Sequence, residues 1–130
     1  MANKTQALYG FWSGFRIPAI DEQSSYDTAT MEQLGITYPY ITFESAVGEF
    51  GEEITLGADL YYRSSTWAEI ESKAAEIADA IGYAGTLVPY DGGGAIWIKR
   101  GNPIYRRMGA DNAFDIRRIH FDVTAAFLSV

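Results

Sequence analysis

One histidine, seventeen carboxylates and ten basic side chains are the groups with which this 130-residue chain could do chemistry, and it has no cysteine. A serine triad would have to use His120, which falls midway along the alternating run IRRIHFDVTAAFL. No Gly-x-Ser-x-Gly elbow accompanies it. His120 is therefore expected on a sheet surface. Glu52 and Glu53 are paired carboxylates, but neighbours in an extended chain point to opposite sides and cannot flank one scissile bond. No Asp/Asn-rich loop has calcium spacing, and no His-x-x-x-His places two nitrogens on one helical face for a metal. Without cysteine there are no disulfides, thiolate nucleophiles, zinc–thiolate sites or iron–sulfur clusters. No catalytic residue, cofactor or metal is expected.

Two binding chemistries remain. Gly92, Gly93 and Gly94 would cradle a phosphate only if a helix began directly after them with its amides aimed at the anion. AIWIKR, residues 95–100, reads as a strand, so the glycines are a hairpin turn. Tyr38, Tyr40, Tyr61, Tyr62, Tyr83, Tyr90 and Tyr105 could stack on nucleic acid, but that mode also needs a basic groove. The net charge is −7, and Tyr40, Tyr61 and Tyr62 lie in the acidic part of the chain. Core and interface positions suit these rings better.

The charge is unevenly spread. Residues 1–98 hold four basic against fourteen acidic side chains, a net of −10, whereas residues 99–130 hold six against three, a net of +3. Such a dipole suits a chain whose basic edge meets the acidic edge of a second copy; the plainer reading is arginines that solvate a loop.

The elements that must position these groups are written locally. Ile54, Leu56, Ala58, Leu60 and Tyr62 alternate with polar residues, a half-buried strand over 54–63. From Thr66 the period changes: Trp67, Ile70, Ala74, Ile77 and Ile81 form one stripe of a helix. Thr66 and Glu69 are spaced as a capping box, Glu69 and Lys73 as an i,i+4 pair, and Gly82 as the stop. Leu8, Phe11, Trp12 and Phe15 mark a first helix over 3–17, capped by Asn3 or Thr5 and closed by Pro18. Residues 19–37 read as a long excursion, with a short helical turn in TATMEQLG. YPYITFES, 38–45, is a strand, paired by default as a hairpin with 54–63 across the turn 46–53. TLVPY, 86–90, and AIWIKR, 95–100, are two more strands. Residues 101–115 form a second excursion, and residues 116–128 a terminal strand with Ile119, Phe121, Val123, Ala125 and Phe127 inward. The expected fold is α+β: one domain over 1–130, a mainly antiparallel sheet of about five strands, two helices on one face. The chain has 48% hydrophobic residues, no apolar run near the roughly 18 residues of a membrane span and no evident secretory signal. A soluble protein made in a cytosol is expected.

Three segments, PYITFE at 39–44, DLYYRSSTWAEIESKAAEIADAIG at 59–82 and GGGAIWIKRGNPIYRRMGADNAFDIRRIHFDVTAAFL at 92–128, together resemble the tail terminator (tail completion, minor capsid-type) proteins of long-tailed, non-contractile bacteriophages and prophages. The most specific part is Trp97-Ile98-Lys99-Arg100-Gly101-Asn102-Pro103, then Arg106-Arg107-Met108 and Ile116-Arg117-Arg118, with Tyr62-Arg63-Ser64-Ser65-Thr66-Trp67 adding weight. The resemblance implies a virion protein: a ring, usually hexameric, on the head-proximal end of the tail tube, made in the bacterial host cytoplasm. It would stop tube growth and join tail to head. Its implied partners are further copies of itself, the tail tube protein and a head-tail connector protein, with DNA in the lumen a second candidate and no membrane. Nothing catalytic comes with it. Arg100, Asn102, Arg106 and Arg107 are then the candidate subunit or tube interface. Another connector component, in head closure or related to the tail tube, or a small-ligand enzyme are the alternatives.

Overall fold

An alternating run becomes a strand only where a neighbour takes up its backbone hydrogen bonds. In this computed structural model, which describes residues 3–21, 33, 35, 37–47, 51–108 and 116–128, every such run has its partner. The elements are α1 (Lys4–Ser13), β1 (Ala19–Asp21), β2 (Tyr40–Phe43), β3 (Glu53–Arg63), α2 (Ala68–Ile81), β4 (Thr86–Tyr90), β5 (Gly94–Met108) and β6 (Ile116–Leu128). The strands form one sheet in the order β1-β2-β3-β6-β5-β4. All neighbours are antiparallel except β1 and β2. Among the described residues the fold is α+β with α1 and α2 on one face, as expected, but the sheet has six strands and is mixed. It curls so that α1 touches both edge strands, β1 and β4. Among the described residues, no helix is long and apolar enough to cross a membrane.

The core fills the space between the sheet's inner face and the helices. Leu8 and Trp12 of α1, with Phe15 just beyond its end, join Ile70, Ala74, Ile77 and Ile81 of α2. Opposite them stand Ile41, Phe43, Leu56, Leu60, Ile96, Ile98 and the five inward residues expected on β6. Trp12, Phe43, Phe121 and Phe127 are among the largest side chains, each under 2% exposed, and burial of each contributes roughly 1.5–3 kcal/mol or more.

Five local expectations are corrected. Helix α1, capped by Asn3, one of the two candidates, in a reciprocal box with Gln6, ends at Ser13 rather than near 17. Gly14 caps it, Arg16 takes a left-handed φ of 67°, and the residue before Pro18 is disfavoured in a helix; Phe15 is buried from outside the helix. Residues 19–21 of the first excursion form β1, too short to show a period. The rest of TATMEQLG lies outside the described residues except Gln33 and Gly35. The Thr66–Glu69 capping box does not form: Trp67 is the N-cap, and Thr66 Oγ1 accepts only from the Ala68 N–H, at 3.4 Å. Lys73 bonds Glu76 and the Phe15 carbonyl rather than Glu69, tying α2 to the exit of α1.

The fifth correction is the largest. β5 continues to Met108 instead of ending at Arg100. Arg100 pairs with Val123 and Tyr105 with Phe121, so five steps along β5 match two along β6. The surplus at 101–104 makes a bulge that holds Pro103, within the stretch expected to be an excursion. Gly101 allows it, because a Cβ there would stand 2.4 Å from the Asp122 carbonyl oxygen. The odd surplus also reverses parity: Arg100 and Arg107 share the inner face, while Arg106 faces out with His120. Residues 109–115 of the second excursion lie outside the described residues.

Gly101→Ala should therefore lose about 1–3 kcal/mol in urea unfolding. Gly10→Ala, whose Cβ would meet nothing within 4 Å, should gain about 0.5–1 kcal/mol in the same measurement.

Candidate functional site

Register sets what the exposed face of the sheet carries. Tyr40, Tyr61, Arg118 and Met108 stand in one row across β2, β3, β6 and β5. Thr42, Asp59, His120 and Arg106 form the next row, and Thr55, Thr124 and Lys99 stand further along. Then comes Glu53, Ala126, Trp97 and Leu87. The face thus grades from an aromatic and basic corner, through a polar middle, to an apolar corner. Leu87 is 61% and Trp97 36% exposed at that apolar corner.

In the aromatic corner Tyr40 stacks on Tyr61 at 4.9 Å between centroids, Tyr38 leans on Tyr40 at 5.2 Å, and the Arg63 guanidinium lies 5.1 Å over Tyr38. Burial, with the neighbouring Tyr38 and Tyr61, pushes the Tyr40 hydroxyl above its ordinary ionisation range. Tyr62, on the other face, is raised by burial and by Glu69 and Glu76. These phenols remain hydrogen-bond donors in any neutral solution.

His120 sits at the centre of the polar middle. Its Nδ1 lies 2.9 Å from Asp59 Oδ1 and its Nε2 3.1 Å from Asp122 Oδ1. Gly57 makes room, since a Cβ there would stand 3.0 Å from the imidazole Cε1. Arg118 approaches Asp59 at 3.7 Å. The His120–Asp122 pair, two residues apart on one strand face, was visible in the sequence; Asp59 comes opposite only through the register. The ring bridges the two carboxylates. Among the described residues no three His, Cys, Asp or Glu side chains cluster to hold a metal.

The four residues named as an interface divide. Arg107 bonds Glu71 of α2 at 2.6 Å and covers the Trp67 ring at 4.6 Å. Arg100 donates to the Ala78 carbonyl of α2 at 2.8 Å and lies 4.3 Å over Tyr83. A cation at the last turn of a helix also opposes the helix dipole. Arg117 adds a third clamp, 3.0 Å from the Ser65 carbonyl and 5.5 Å over Trp67. The sequence reading missed this fastening, because nothing in spacing alone brings residues 100–117 to α2. Asn102 and Arg106 are exposed, Asn102 in the bulge and Arg106 on the outer face.

On the helix side, Glu76 is pulled below the usual carboxylate range chiefly by its Lys73 bond and then by Arg16. An open groove beside it is lined by Tyr62, Ala68, Glu69, Ser72, Lys73 and Glu76. A second groove runs past Asn3, Lys4, Val47 and Tyr90.

Among the described residues the arrangement is an α+β fold whose most distinctive surfaces are the two patches on the exposed face of the sheet. Compared with models of known protein families and with curated proteins, the chain matches none.

The raised phenols bind their protons more tightly folded than unfolded, so their contribution to stability is complete below pH about 10 and drains away as pH climbs toward the folded value. A spectrophotometric titration should show a late-ionising fraction of the nine tyrosines. Tyr40→Phe should shrink that fraction and flatten the alkaline loss of stability.

Proposed function

We propose that this chain is a structural protein of a long-tailed phage or prophage, a tail terminator that assembles as a ring, capping the tail tube and joining it to the head. The sequence resemblance supplies the role. The observation that carries it is the exposed sheet face, which bears two unlike patches at opposite corners: apolar Leu87 and Trp97, and the tyrosine–arginine corner. A closed ring is built from heterologous contacts, one patch meeting a different surface of the next copy, and two unlike patches on one rigid sheet give such a subunit separate surfaces for a neighbouring copy and for the tube. Arg106 and Asn102 keep their candidate place at a subunit or tube contact, and Arg107, with a side chain 55% exposed, can serve both α2 and a neighbour. The role asks for no catalytic residue, cofactor or metal. In it, the tail tube protein and a connector protein are the partners and the virion is the site of action.

Two measurements test this. Particles from a phage or prophage lacking the protein should show overlong tails and unjoined heads in electron micrographs. Tails of correct length with unjoined heads would point instead to another connector component. Leu87→Asp/Trp97→Asp, checked for unchanged circular dichroism, should fail to cap tubes in a complementation assay; normal capping would remove the apolar corner from the contact.

A further inference from the structure

The tyrosine–arginine corner has a counterpart on the same molecule that it cannot reach. Arg63, Arg106 and Arg118 face outward around Tyr38, Tyr40 and Tyr61, and Arg118 approaches Asp59. On the far side of the sheet, α2 exposes Glu69 and Asp79, with small Ala68, Ser72, Ala75 and Ala80 around and between them. The α2 acids Glu71 and Glu76 are occupied by Arg107, and by Lys73 and Arg16.

The spacings agree. Arg63 pairs with Ile116, and Arg106 with His120 on the other side of β6. They are thus separated by four residues along the strands, about 13 Å, and by two strand spacings across them, about 10 Å, or roughly 16 Å in all. Glu69 and Asp79, ten residues apart on one helix, are separated by about 15 Å. The small residues between them let the helix approach a flat surface closely.

We propose that the tyrosine–arginine corner docks the outer side of helix α2 of a second copy, with Arg63 and Arg106 set against Glu69 and Asp79 and the tyrosine hydroxyls beside them. The partner is a second copy rather than a nucleic acid because the chain carries a net charge of −7 and the rings are already stacked on one another and on Arg63. The two surfaces lie on opposite sides of the sheet, so the contact is intermolecular and heterologous, and every copy offers both halves. It propagates head to tail until a ring closes; this closure rests on the ring reading above, whereas the self-contact does not.

Light scattering at several concentrations tests it by charge exchange. The wild-type chain should gain mass with concentration, less so at high salt. Arg63→Glu/Arg106→Glu and Glu69→Lys/Asp79→Lys should each weaken association by roughly tenfold or more, since like charges then face each other. An equimolar mixture of the two should recover it, because each variant then presents what the other lacks. Circular dichroism and urea midpoints check folding; if a reversal perturbs the fold, Arg63→Gln/Arg106→Gln with Asp79→Asn takes its place, with a smaller loss expected and no recovery on mixing. A wild-type chain monomeric at every concentration, variants of unchanged mass, or no recovery in the reversed mixture overturns the proposal. So does binding of a labelled oligonucleotide that the arginine reversal abolishes while mass is unaffected. Correct tail capping by both reversed variants, with no recovery on mixing, would overturn this contact and leave the terminator role standing; recovery on mixing, where loss of the whole protein leaves tails and heads unchanged, would do the opposite.

Discussion

The pairing of β3 with β6 is the constraint on which the other features depend. Glu53–Arg63 lies against Ala126–Ile116 without a slip, in the middle of the sheet, joining the acidic part of the chain to its basic end. The inner side chains of this ladder, Leu56, Leu60, Ile119, Phe121 and Val123, carry both helices. Its outer side chains set Tyr61 beside Arg118 and Asp59 beside His120. A shift of one residue would send both sets to the wrong face, so the core and the exposed surface are specified by the same hydrogen bonds.

Charge then works at two levels. Arg100, Arg107 and Arg117 fold back over α2 and its entry, using carbonyl acceptors, one carboxylate and aromatic faces. Partly exposed pairs of this kind are worth little singly, but three of them along one helix fix its azimuth on the sheet. The arginines that point the other way are what an outside partner meets. Much of the basic character of the last quarter of the chain is therefore internal wiring, and only part of it is surface.

Periodicity made most of the fold legible. The runs at 54–63 and 116–128 and the stripe from Trp67 to Ile81 appear where the alternation and the 3.6-residue spacing put them, because burying one face of each is the dominant force on it. What spacing could not reveal were the features decided by contact between distant segments. β1 is a strand because β2 lies beside it. Thr66 does not cap α2 in a box because Trp67 is drawn under two arginines and takes the cap position. Residues 101–104 look like the end of a strand until Asp122 supplies the surface against which Gly101 fits. The candidate site was legible as a list of arginines, but which of them face the helix and which face solvent depends on a register that no local pattern encodes.

That register gives the bulge a role in how such a chain can change over generations. Side chains beyond residues 101–104 face as they do because those four residues stand against one on β6, an odd surplus. A deletion or insertion of one codon there would leave every residue of Tyr105–Met108 in place in the sequence yet exchange their faces, turning Arg107 out and Arg106 in. The short insert is in effect a parity bit for the hairpin: a change of one residue in its length would release the Arg107 clamp on α2 and present a different charge to a neighbour.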